Sequence, residues 1–148
     1  DEGGPAPDDA GRLCKVITTS PTCVDAVNNQ TLSWIETNIF TPNCGGSSCH
    51  GNVPLPGGRI VLSANAHTAL VNADSMIATS PQRKLVVPND VKKSYLMVLL
   101  RHVNLGDADP PADAPPNPPG YMPQNSDPIC CQKLDAIQRW IEAGALDN

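Results

Sequence analysis

Cys130 and Cys131 are neighbours, and their adjacency constrains the fold of this 148-residue chain more than any other feature. Consecutive Cα atoms lie about 3.80 Å apart, whereas a disulfide spans roughly 4.4–6.8 Å between Cα atoms. A bond between these two is therefore strained. The easier arrangement ties each of them to one of Cys14 and Cys23, clamping the N-terminal segment onto the C-terminal part of the chain. Spacing leaves open which cysteine meets which. Loops of roughly 100 residues closed this way each contribute about 4–5 kcal/mol in the chain-entropy treatment. A redox-active thiol pair, or metal capture by adjacent cysteines, ranks below bridging. Six cysteines in so short a chain point to an oxidising compartment, periplasmic or extracellular. The polar, Gly- and Pro-rich run from Asp1 to Gly11 reads as a disordered segment left after removal of a targeting sequence. Residues 12–148 then form one domain.

Four segments carry helical patterning. Thr31 caps the first, whose face is Leu32, Ile35 and Ile39, with Thr41-Pro42 as its stop. Ser63 opens the second, running through Ala66, Leu70 and Val71. The third follows Pro88-Asn89-Asp90 and lines up Val91, Tyr95, Val98, Leu99 and His102. The fourth takes Asp127 as N-cap and Pro128 as its first residue, with a stripe of Cys130, Leu134, Ile137 and Ile141 and Gly144 at its left-handed end. Strand signals are poorer: Arg59 to Leu62 and Lys84 to Val87 suffice at most for a small ribbon. Seven prolines between Asp107 and Pro123 exclude helix and central strand there. The expectation is an all-α domain with long Pro-rich loops.

Composition narrows the function. A net charge of −5 and no basic run argue against nucleic acid as partner. No long apolar run suggests a membrane span. Aromatic residues make up only 3% of the chain. Such a core gains from a buried planar cofactor, although an aliphatic core stapled by disulfides also serves.

Chemistry concentrates in Cys44-Gly45-Gly46-Ser47-Ser48-Cys49-His50-Gly51. Covalent haem attachment needs two thiols for the two vinyl groups and an imidazole beside them for the iron, usually as C-x-x-C-H. Here four residues separate the cysteines. On a regular helix positions i and i+5 diverge by about 140°, so the spacer must bulge, and Gly45-Gly46-Ser47-Ser48 is small enough to do so. The plainer alternative is a Cys44–Cys49 disulfide with His50 incidental. A zinc site is weaker, lacking a second Cys/His pair at metal spacing.

With these residues in view, the sequence resembles the monohaem class I c-type cytochromes, and more narrowly bacterial secreted domains with a C-x4-C-H attachment loop. The resemblance rests on Ile39-Phe40, Cys44, Cys49-His50-Gly51, Leu62-Ser63, Val87-Pro88-Asn89-Asp90, Ser94-Tyr95-Leu96, Met122-Pro123 and Trp140 to Ala145, in that order. It implies a cytochrome c-like fold of about four helices around one covalent haem c, held by Cys44 and Cys49 and ligated by His50 and Met122. A thioether ligand favours Fe(II) and raises the potential relative to two imidazoles. Met97, Met76, His102 and His67 compete with Met122. Of these, Met97 suits core packing, Met76 an ordinary loop, His102 a buried hydrogen-bonded role and His67 the surface. The implied function is one-electron transfer to a redox partner with a basic docking patch. A haem enzyme or gas sensor with a displaceable sixth ligand is the first alternative, and a haem-free, disulfide-stapled binding module the second. Membership of a larger electron-transfer assembly stays open.

Overall fold

Leu32, Ile35, Ile39 and Phe40 are almost wholly buried, and the helix they mark is longer than its sequence suggests. The structure, a computed structural model, describes residues 16–46, 49–51, 60–124 and 127–148. Cys14 and the segment 1–11 expected to be disordered lie outside them. Helix α1 spans Pro21–Ala26. Helix α2 covers residues 32–44 in three parts: α-helical Leu32–Ile35, a π turn Glu36–Phe40, and α-helical Thr41–Cys44. The Thr31 hydroxyl caps it, accepting from the Trp34 N–H. Thr41-Pro42 does not stop it, contrary to expectation. The π turn, in which the Thr41 N–H donates to the Glu36 carbonyl, puts Pro42 in the first turn of a new α segment. There proline's missing N–H costs nothing.

Helix α3 is Ala66–Leu70, entered through Asn65 in a left-handed conformation rather than through Ser63. The Glu36 carboxylate accepts from the Ala66 N–H at 2.9 Å, fastening α3 to the π turn. A two-stranded antiparallel ribbon follows, β1 Asp74–Thr79 and β2 Gln82–Lys84. Helix α4 is only Tyr95–Leu99, and α5 is Cys131–Glu142.

The all-α expectation, with about four helices in a cytochrome c-like arrangement, is therefore corrected. Among the described residues the fold is a mixed one, with short helices and an antiparallel sheet. Two local causes account for it. The Gln82 side chain donates to the Ser75 and Arg83 carbonyls, and the Ser75 hydroxyl accepts from the Ile77 and Ala78 N–H groups. Those side-chain bonds stabilise an irregular ribbon that periodicity does not reveal. The third expected helix is shortened because the Ser94 hydroxyl donates to the Asp90 carbonyl and accepts from the Val87 N–H, keeping Val91 in a turn. Arg101, at φ 63°, then ends α4. The ribbon also lies downstream of the expected strand Arg59 to Leu62. Of Lys84 to Val87, only Lys84 belongs to a strand, and Val86 and Val87 make isolated bridges.

Helix α5 is the centre of the core. Leu134, Ile137, Trp140 and Ile141 belong to one buried cluster with residues of α2 and α4 and with Ala66 and Leu70 of α3. Its N-cap is Cys130 rather than Asp127, and the Cys131 N–H donates to the Val16 carbonyl at 2.6 Å. Gly144 takes the positive φ, 107°, expected of it. Cys23 is bonded to Cys130, which pins α1 to the start of α5. Cys131 is disulfide-bonded as well. Arg139 reinforces the clamp by donating to the Ala26 and Asn29 carbonyls. Among the described residues no helix is long and apolar enough to cross a membrane.

Candidate functional site

The loop from Cys44 to Gly51 leaves the end of α2 and folds back on itself. The Gly45 N–H donates to the Thr41 carbonyl, the Cys49 N–H to Gly46 and the His50 N–H to Cys44, at 3.1, 2.8 and 2.9 Å. The last of these bonds brings the residue after the second thiol back to the first. Two glycines make the return possible by their lack of bulk. A Cβ on Gly45 would lie 2.6 Å from the Thr41 oxygen, and one on Gly51 would lie 2.8 Å from the Gly45 oxygen.

Both cysteines of this loop keep their thiols, Cys44 half-buried and Cys49 exposed. Burial, reinforced by the neighbouring Cys49 thiol, pushes the Cys44 thiol up to about 12, and Lys133 opposes the shift. Cys44 is accordingly protonated at neutral pH.

His50 is held by the segment that follows the loop. Its Nδ1 lies 2.7 Å from the Ile60 carbonyl oxygen. A carbonyl only accepts, so in the neutral ring Nδ1 carries the hydrogen and Nε2 keeps its lone pair. That is the tautomer a metal-ligating imidazole needs, with a backbone acceptor orienting it. The Leu62 N–H donates to the His50 carbonyl, and the Ser63 hydroxyl donates to the Gly51 carbonyl at 2.6 Å. Cys44, Cys49 and His50 are thus assembled by a few local bonds.

Met122 reaches its place separately. Its N–H donates to the Leu99 carbonyl at the end of α4, and its side chain packs half-buried on the core. Pro42 and Asn43, just before Cys44, and Pro123, just after Met122, border one cleft of about 550 Å³. His50 does not line that cleft. A second cleft of about 970 Å³ lies among the prolines before Met122, where Arg101 stacks on Tyr121 at 5.2 Å.

The competing ligands are placed differently. Met97 is fully buried in α4 and Met76 is 67% exposed on β1. His102 is buried, its Nε2 3.0 Å from an Asp135 carboxylate oxygen, and His67 is half-buried in α3. Among the described residues no three His, Cys, Asp or Glu side chains converge as a metal-binding group.

Sequence reasoning missed the Ile60 carbonyl, a backbone group with no sequence signature. It also missed Lys133, which is 6% exposed with its Nζ 3.0 Å from Asn43 Oδ1. A signal existed: Lys133 falls three residues after Cys130, on the apolar stripe of α5.

Fold and site together define a small mixed helix-and-sheet protein, disulfide-clamped, with a two-thiol, one-imidazole loop on its surface. No family model matches the chain, and no curated protein or solved structure matches it either.

Proposed function

We propose that the chain is a one-electron carrier with a single covalent c-type haem. In this reading Cys44 and Cys49 would hold the group as thioethers, His50 would ligate the iron through Nε2, and Met122 would supply the other protein ligand. The donor set suits the group: two thiols four residues apart, and an imidazole directly after the second. The observation that carries the reading is the Nδ1 contact of His50 with the Ile60 carbonyl, which leaves Nε2 as the lone-pair nitrogen.

When bound, the haem supplies a one-electron Fe(II)/Fe(III) couple. The chain's own contribution is positional. The bonds from His50 and Leu62 hold the His50 backbone between Cys44 and the following segment, the Ile60 carbonyl orients its imidazole, and the Leu99 carbonyl holds the Met122 backbone. A net charge of −5 favours a partner with a basic docking patch. The Cys23–Cys130 bond fits maturation in an oxidising compartment, periplasmic or extracellular.

The test is a reduced pyridine haemochrome spectrum of protein exported by a host competent in c-type haem maturation. The expected spectrum is that of a haem with both vinyl groups saturated, and Cys49→Ser shifts it towards one remaining vinyl. A colourless wild-type product overturns the proposal.

A further inference from the structure

Lys133 is a lysine in an unfavourable place. It is 6% exposed and stands in the first turn of the 12-residue helix α5, the end where the backbone dipole disfavours a cation. Among the described residues its partner is the neutral Asn43 amide oxygen, and no carboxylate lies within ion-pair distance. Burial holds its ammonium below the ordinary lysine range, and the Cys44 thiol only partly opposes this. A buried cation without a counter-charge is costly. Such groups cluster at functional sites, where a ligand can supply the missing charge.

The surroundings indicate what that ligand is. Lys133 lines the cleft of about 550 Å³, a volume within the range of roughly 300–1,000 Å³ typical of small-molecule sites. The hydroxyl residues Thr18 and Ser20 border it too, whereas Pro42, Pro123 and Ile129 make much of the wall apolar. Asp127, also on the cleft, is exposed. Its charge disfavours an anionic group beside it, which leaves the Lys133 ammonium as the cleft's site for one. Apolar walls, one buried cation and one exposed anion fit a small molecule with an apolar body and a single carboxylate.

We propose that this cleft binds an amphiphilic monocarboxylate, its carboxylate paired with the Lys133 ammonium. None of Cys44, Cys49, His50 and Met122 lines the cleft, although Asn43 and Pro123, the chain neighbours of Cys44 and Met122, do.

The probe is sodium octanoate, with 1-octanol as the uncharged control of equal chain length, titrated calorimetrically into the purified chain. Octanoate is expected to bind saturably and at least about tenfold more tightly than octanol. Lys133→Met should abolish that preference, and Lys133→Arg should retain most of it. Without ligand, Lys133→Met should melt no lower than wild type, because it removes an uncompensated buried charge. Octanoate binding that survives Lys133→Met, equal affinity for octanoate and octanol, or no saturable binding overturns the proposal. So does a marked loss of thermal stability in unliganded Lys133→Met, which would mean that the charge is already compensated within the protein.

Discussion

Replacing Gly51 by alanine tests the attachment loop at its tightest point. Gly51 is buried, and an added Cβ would lie 2.8 Å from the Gly45 oxygen and 3.0 Å from the Gly46 oxygen. Both obstacles are backbone atoms of the spacer between the two cysteines, so no side-chain rotation relieves them. The loop must open by several tenths of an ångström. That opening stretches the bond from the His50 N–H to the Cys44 carbonyl, now 2.9 Å, and the one from the Ser63 hydroxyl to Gly51, now 2.6 Å. Overpacking of this kind costs about 1–3 kcal/mol. For a chain of this size each kcal/mol shifts the melting temperature by about 2–4 °C, so Gly51→Ala should melt roughly 2–12 °C lower. Gly106→Ala is the control, since nothing lies within 4 Å of its added Cβ. The assay is thermal denaturation followed by circular dichroism, with haem content measured on the same preparations. The expected result is a lower melting temperature and reduced haem loading in Gly51→Ala alone. If the two variants melt within about 1 °C of each other, and load haem equally, the packing argument is wrong.

Three further perturbations address other parts of the account. Reducing the disulfides should cost at least about 4–5 kcal/mol, because Cys23–Cys130 closes a loop of 107 residues; urea denaturation with and without reductant measures it, and a loss under about 1 kcal/mol contradicts the clamp. In haem-free protein Cys44 should alkylate far more slowly than exposed Cys49 at pH 8, its rate rising about tenfold per pH unit towards 12. Burial raises its folded value above the ordinary thiol value of 9.0, so the associated stability is complete below pH 9 and falls as pH approaches 12; a flat profile in wild type, or an unchanged fall in Cys44→Ala, refutes this. On the proposed reading, Met122→Leu should abolish the near-infrared sulfur-to-iron charge-transfer band of the oxidised protein and let the reduced protein bind carbon monoxide. A band that persists in the variant excludes Met122 as the ligand.

Much of the framework was legible where one face of a helix does most of the work. Leu32, Ile35 and Ile39, and likewise Leu134, Ile137 and Ile141, announce their helices by spacing, and all are buried. The burial of Met97 and His102 also follows from their sequence context. What escaped was decided by individual hydrogen bonds. The π turn that carries α2 past Pro42 depends on one shifted backbone bond. The ribbon depends on the side chains of Gln82 and Ser75, and the shortened α4 on Ser94. Arg83 shows the same limit: it is buried, donates to the Pro111 carbonyl and stacks over Tyr95, anchoring the Pro-rich loop from a distance. The site divides likewise. The thiols and imidazole are written in the motif, whereas the Ile60 carbonyl that orients His50 is a product of the fold.

The most direct test of the central claim is the intact mass of exported wild-type protein under denaturing conditions, beside Cys44→Ala and Cys49→Ala. The account predicts wild-type polypeptide heavier by one haem that survives unfolding, and a single remaining thioether in each variant. A mass lacking haem, and two protons short at Cys44 and Cys49, would contradict it.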